Sequence, residues 1–264
     1  MAGFRGWEMC YDPDLTAIER IYTRIFGVPI NGLRIRMRRV LPKVGGNYGA
    51  ILDAGCGIGV FSMQLAKLHP EAQVMGVDLE ESLVKKATEI TRHAKISNCE
   101  FQLGDVTNLH LDRKFDLIVS VDNLEHVEND VRALESFRRL LNPEGRLVVH
   151  VPGYYRRWPV FERKVNFDVP GHVRPGYLKE QLAERLNNAG FALIEQCYTF
   201  GLLENLSNNI SYAITGADKR NRYLYAMVFP FLAILAYFGG FQRPSWGAGV
   251  LAVCRPADDD NNRS

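Results

Sequence analysis

The chain has 264 residues, 47% hydrophobic, 11% aromatic and 23% charged, which suits one large buried core and excludes a disordered, collagen-like or disulfide-scaffold protein. Lys and Arg total 32 against 30 Asp and Glu, for a formal net charge of +2. That balance lacks the basic excess of a protein that neutralises many nucleic-acid phosphates, so no nucleic-acid partner is expected.

At the N-terminus, MAGFRGWEMC carries charges and no apolar run long enough for a secretory segment, and a cytoplasmic chain is expected. Asp12-Pro13 predicts a helix cap and first-turn proline, with Leu15, Ile18, Tyr22 and Ile25 at helical spacing until Gly27 and Pro29. A second helix is predicted around Leu33, Met37 and Val40, ending before Pro42. Residues 1–44 are read as a helical cap. Within it Arg34, Arg36, Arg38 and Arg39 form a basic run, by default a solvated helix face.

From about residue 50, short apolar runs alternate with helical patterns, the signature of a parallel sheet with crossover helices. Strands are predicted over 50–54, 73–78, 100–103, 115–121, 146–151, 191–200 and 249–254. Helical faces are carried by Phe61/Leu65/Leu68, Leu83/Ala87/Ile90/Ala94, Val127/Val131/Leu134/Phe137/Leu141 and Leu178/Leu182/Leu186. Asn142-Pro143-Glu144-Gly145 reads as a turn. The fold class is thus α/β, doubly wound, over 45–255, and the segment from 256 to 264 is read as a frayed tail. Cys10, Cys56, Cys99, Cys197 and Cys254 are scattered without a C-x-x-C pair; neither a disulfide framework nor a metal site is expected.

The first strand runs straight into Asp53-Ala54-Gly55-Cys56-Gly57-Ile58-Gly59 and a helix. Backbone packed against a ligand needs residues without Cβ, and the helix behind offers free N–H groups. The glycines fall at 55, 57 and 59, whereas the dinucleotide fingerprint wants its third small residue at Val60, so a nicotinamide cofactor is disfavoured. Asp78 closes the second strand, where a carboxylate can accept both ribose hydroxyls, and Asp105 follows the third. Carboxylates at the C-terminal ends of consecutive parallel strands converge on the crevice where such sheets bind ligands.

ILDAGCGIG (51–59), GVDLE (76–80), GDVTNL (104–109), FDLIVSVDNLEHV (115–127) and LNPEGRLVVHVPG (141–153) together resemble the class I S-adenosylmethionine-dependent methyltransferases, most closely the small-molecule (type 11) enzymes that include those of quinone pathways. The resemblance covers roughly 45–200 plus the last strand. It implies a seven-stranded Rossmann-like sheet and S-adenosylmethionine as cofactor. By it Asp53, Gly55, Cys56, Gly57 and Gly59 hold the methionine part, Asp78 and Leu79 the ribose, Asp105 and Val106 the adenine edge, and Val121 and Asp122 line the floor. It further implies a small acceptor, methylated at oxygen or carbon. A cyclase-like or regulatory protein that binds the cofactor without methyl transfer is the alternative.

Methyl transfer from a sulfonium needs alignment first and a base only where the acceptor carries a proton. His126 follows the fourth strand and suits proton removal near neutrality, or else simply caps or packs. His150, inside the fifth strand, reads as a satisfied core residue. Tyr154, Tyr155 and His172 are candidate acceptor contacts.

Between about 201 and 245 an insertion stands where the family fold has a tight hairpin. Tyr223 to Gln242 carry no charge and lie between Lys219-Arg220-Asn221-Arg222 and Arg243. The length fits a membrane span, but flanking strands of one sheet would then lie on opposite sides, and Pro230 and Gly239-Gly240 interrupt the pattern. Three readings stand: a helical lid whose apolar face covers a lipophilic acceptor, a segment docking on the inner face of an anionic membrane, or extra core or an oligomer interface. The arginine run has a matching minority reading, facing an acidic head group.

Overall fold

Seven of the apolar runs assemble into one sheet. The computed structural model describes residues 5–158, 161–166, 171–215 and 221–257. Its main strands are β1 (Ala50–Ala54), β2 (Gln73–Asp78), β3 (Cys99–Leu103), β4 (Phe115–Val121), β5 (Leu141–Pro152), β8 (Phe191–Thr199) and β9 (Gly249–Pro256), ordered β3-β2-β1-β4-β5-β9-β8. β9 is antiparallel to both neighbours and the other pairs are parallel. A small hairpin, β6 (Tyr155–Arg157) with β7 (Arg163–Val165), stands apart.

Successive side chains of a strand face opposite ways, and the central strands use both faces. Ile51, Val119 and Val148 join a layer with Met63 and Ile90, from α3 (Val60–Leu68) and α4 (Glu81–His93). Leu52, Ile118 and Val149 join Leu134, Phe137 and Leu186, from α5 (Asp130–Leu140) and α6 (Lys179–Asn188). Each such side chain contributes about 1.5–3 kcal/mol on burial, so each strand fixes two layers at once.

The N-terminal helices are α1 (Ala17–Phe26) and α2 (Asn31–Val40). α1 starts at Thr16 rather than at Asp12-Pro13, because Thr16 and Glu19 form a reciprocal capping box, while Asp12 is drawn into an ion pair with Lys86. Met37 and Val40 of α2 lie in the first core layer, so the cap shares the core of the sheet.

The insertion forms two helices, α7 (Leu202–Thr215) and α8 (Arg222–Gly239), joined by the Ser207 hydroxyl donating to the Leu232 carbonyl. α8 passes through Pro230 without breaking and ends at Gly239. The arginine run is a clamp rather than a solvated face. Arg39 forks onto Glu204 at 2.8 and 2.9 Å, Arg38 donates to the Ala236 carbonyl, and Arg34 stacks over Phe229.

Three boundaries differ from expectation. The Asn142–Gly145 turn lies within β5 as an irregularity, where pairing jumps from Phe115–Leu141 to Leu117–Arg146. Val127 precedes α5, which is capped by Asn129. β9 runs on to Pro256, paired with Phe191, and residues 258–264 of the expected tail lie outside the described residues.

Candidate active site

The glycine turn is folded against β2 by the Gly55 and Cys56 N–H groups, both donating to the Val77 carbonyl. Gly55, Gly57 and Gly59 all lie in the left-handed region. A Cβ at Gly55 would meet the Asn123 side chain at 2.2 Å, whereas one at Gly57 would meet nothing within 4 Å. The first glycine permits close packing; the second leaves room for a ligand. A cavity of about 290 Å³ opens there, lined by Asp53, Gly55, Cys56, Gly57, Val121 and Asp122. Ile30, Leu33, Arg36, Ile58, Val60 and Phe61 complete its wall; of these Leu33 and Phe61 lie on predicted helical faces, Arg36 in the basic run and Ile58 in the glycine turn.

Of the other predicted cofactor residues, all outside that lining, Gly59 caps α3 at the end of the glycine turn, and Asp78, Leu79, Asp105 and Val106 sit at the ends of β2 and β3. The Asp78 carboxylate accepts from the Gly57 N–H at 2.7 Å and the Glu80 N–H at 3.0 Å, which fixes it at the end of β2. Asp105 accepts from the N–H and hydroxyl of Thr107, both at 2.8 Å. Val106 is buried and the Leu79 side chain is exposed. Asp53 is buried, accepts from the Ser62 hydroxyl, and burial pushes its carboxyl up to about 7.

Asp122 has φ 47°, a conformation that costs a non-glycine residue about 1–3 kcal/mol and persists only where its surroundings impose it. Here they do. Arg36 pairs with one carboxylate oxygen at 2.5 Å, His150 Nδ1 meets the other at 2.5 Å, and the Asp122 N–H donates to the His150 carbonyl. Burial pushes the Asp122 carboxyl up, but Arg36 and then His150 outweigh it and hold it below the usual carboxylate range. His150 Nε2 meets Thr199 Oγ1 at 2.8 Å; its ring is satisfied, as expected, yet it also faces a second cavity.

That cavity measures about 540 Å³, and its wall includes Asn31, Arg36, Asp122, His150 and His172. Arg36 and Asp122 therefore stand between the two cavities. His172 Nδ1 is buried with no hydrogen-bond partner, and burial, then the neighbouring His126, holds this imidazole below its ordinary range. The ring is consequently neutral at pH 7. His126 lies one step outside the wall, edge-on to His172 at 4.7 Å, with Nδ1 at 2.9 Å from the Gly171 carbonyl. Tyr154 and Tyr155 meet edge-on outside the lining, Tyr155 under Arg163, where the chain enters β6.

The His172 loop is fastened by the Val173 N–H donating to the Glu125 carbonyl and by Arg174 on the buried Asp130. Burial and the charge of Asp122 push the buried Glu125 carboxyl well above its usual range. Although no metal was expected, Glu125, His126 and His172 present ligand atoms within 4.8 Å of one another, close enough to hold a metal ion.

The room at Gly57, the buried Asp53 and the fixed Asp78 fit the amino-acid and ribose parts of S-adenosylmethionine. Residues 47–195 match the methyltransferase-domain family. Among relatives, a ubiquinone biosynthesis O-methyltransferase of Coxiella burnetii is 38% identical over 98 residues, 37% of this chain and 41% of that protein. The chain spans 37%, 43% and 64% of the first three curated relatives it matches. Among solved structures, the cyclase SpnF aligns with TM-score 0.56 at 20% identity, over 85% of this chain and 82% of that one. An O-methyltransferase of a Brevibacillus brevis polyketide multienzyme, in complex with S-adenosylhomocysteine, aligns with TM-score 0.54 at 16% identity, over 97% and 81%. With the seven-stranded sheet, the glycine turn and the acidic strand ends, these matches make the chain a member of the class I S-adenosylmethionine-dependent methyltransferases.

Proposed function

We propose that the chain methylates an oxygen or a carbon of a small acceptor seated in the larger cavity. The observation that carries this reading is the shared Arg36–Asp122 wall, which puts two cavities of ligand size side by side at the sheet's C-terminal edge. When bound in the smaller one, S-adenosylmethionine supplies an electrophilic methyl group, transferred in line to the attacking atom. The chain's residues do the rest. Asp53 and Asp78 hold the cofactor, Asp122 keeps negative charge where the two ligands meet, and neutral His172 takes the acceptor's proton. His126, exposed behind it, passes that proton to water.

The reading extends to an acceptor carried on a lipid and met at the inner face of a membrane, its lipophilic part outside the cavity. α8 has a mean hydropathy of 1.4 over 18 residues, with only 22% buried. Met227, Phe231, Ile234 and Phe238 form an exposed stripe on it. α1 is fastened alongside by Tyr22, whose hydroxyl donates to the Ala226 carbonyl, and exposes Ile18, Ile21 and Ile25. Exposed Arg24, Arg222 and Arg243 stand beside these stripes, which favours an anionic lipid surface as the occupant. β8 and β9 pair in one sheet, so α8 returns to the side it left and lies on the bilayer rather than crossing it. The apolar face thus points outward, away from the acceptor cavity, unlike a lid.

Two measurements test the reading. Label from methyl-tritiated S-adenosylmethionine is followed into the lipid, phenolic and glycoside fractions of a cell extract. Release of S-adenosylhomocysteine with a labelled product is expected; cofactor binding with no transfer would favour the cyclase-like or regulatory alternative. In flotation, phosphatidylglycerol vesicles are expected to carry the wild-type chain and not Phe231→Asp/Phe238→Asp. Equal flotation of both, or a dimer by light scattering that the substitutions dissolve, defeats the membrane reading.

A further inference from the structure

The larger cavity has a mixed wall in which amides recur beside apolar and charged side chains. α7 brings Asn205, Asn208 and Asn209 on one face, and Asn31 enters from the start of α2. Asn31, Asn205 and Asn209 are at most 8% exposed, and amides are placed so deeply only where they are paired. Asn31 Nδ2 donates to Ser207 Oγ at 2.8 Å. Asn205 and Asn209 both donate to the Arg157 carbonyl, at 3.1 and 2.5 Å. Each amide nitrogen is thereby engaged by the protein, which leaves the side-chain oxygen as the group suited to accept from a ligand. The Asn31 oxygen is buried with no partner at all.

Fixed acceptors select a ligand with several donors, because a ligand that lacks them leaves buried oxygens unpaired. Arg36, the cation next to the cofactor cleft, is paired with Asp122, while Arg156 also lines the cavity. A flat phenol could lie against Tyr212 or Tyr225, which also line the cavity, but it would leave most of the amide oxygens empty. A pyranose ring satisfies both features, with hydroxyls donating to the amides and a C–H face against a tyrosine.

We propose that this cavity binds a polyhydroxylated sugar unit, with Asn31, Asn205 and Asn209 as its hydrogen-bond acceptors. The proposal deepens the methyl-transfer reading and rests on it for which hydroxyl reacts, namely the one facing His172 and the Arg36–Asp122 wall.

The test is binding to the whole chain by saturation-transfer NMR and titration calorimetry, with saturating S-adenosylhomocysteine. The probes are methyl glycosides of the common hexoses and 6-deoxyhexoses, with hydroquinone and catechol for comparison. At least one glycoside is expected to bind more tightly than either phenol. Asn31→Leu and Asn209→Leu are each expected to weaken it at least tenfold, with S-adenosylhomocysteine affinity unchanged within twofold. Asn31→Ser and Asn209→Asp serve where leucine is not accommodated. The proposal is overturned if S-adenosylhomocysteine binds and no glycoside does, or if the phenols bind better and the asparagine variants leave glycoside affinity unmoved. Failure to bind S-adenosylhomocysteine would strike the methyl-transfer reading instead, and glycosides titrated alone then decide the cavity by the same criteria.

Discussion

The cofactor cleft and the helical cap above it are built on different principles. In the cleft, local sequence does most of the work: a strand end, three glycines in the left-handed region and carboxylates one strand apart. In the cap, α1, α2, α7 and α8 are held by contacts between residues far apart in the chain. Arg39 meets Glu204, Arg38 meets the Ala236 carbonyl, and Tyr22 meets the Ala226 carbonyl. The cleft tolerates little change in backbone, whereas the cap tolerates little change in pairing.

The cap depends most on Glu204. It is fully buried and held by both arms of Arg39, so Glu204→Ala strands a largely buried guanidinium and should cost about 3–5 kcal/mol in chemical denaturation. A loss below 1 kcal/mol would show that the clamp does not organise the cap. Cofactor affinity should fall with it, since Arg36 and Leu33 of the same helix wall the cleft.

Within the cleft the two glycines separate packing from room. Gly55→Ala combines a left-handed φ with a contact on Asn123 and should lose about 2–3 kcal/mol of stability as well as S-adenosylhomocysteine affinity. Gly57→Ala meets only the backbone penalty, about 1–2 kcal/mol, yet should weaken binding at least tenfold by filling the cavity. If calorimetry shows Gly57→Ala binding normally, the ligand does not approach this turn.

For the proposed base, His172→Ala should lower turnover by about a hundredfold or more, in the range of general-base contributions, and His126→Ala by distinctly less. The reverse order would move the proton acceptor to His126. The smallest effect concerns Asp53. With its free-state value raised to about 7 by burial, the carboxyl keeps its proton up to that pH, while a cofactor ammonium favours the ionised form. Binding should therefore release a proton and tighten as pH rises from about 5 to 7, levelling above it. Calorimetry in buffers of different ionisation enthalpy measures this release, and Asp53→Asn should abolish it.

Legibility followed the same division. The strands, the glycine turn and the strand-end positions of Asp53, Asp78 and Asp105 were readable because period and strand-end position act over a few residues, while Asp122 entered only through the family resemblance. Tyr154 and Tyr155 were placed wrongly relative to the cavity because their neighbours in the chain gave no sign of the small hairpin that β6 opens. The arginine run misled for a related reason: four cations in six residues look solvated until Glu204 and the aromatic rings of α8 are brought to them. Asn31, Asn205 and Asn209, polar residues on otherwise ordinary helices, carried no signal at all.

The doubly wound sheet and the ligand crevice at its strand ends follow from the sequence alone, since they depend on local backbone geometry and hydrophobic period, while the cofactor was implied by the motifs' resemblance to a known family. Only the tertiary structure decided that the insertion turns amides toward the acceptor cavity and apolar side chains outward. That choice depends on which face of α7 and α8 meets α2. It is made by ion pairs and hydrogen bonds between segments more than 160 residues apart, a separation at which no period in the sequence persists.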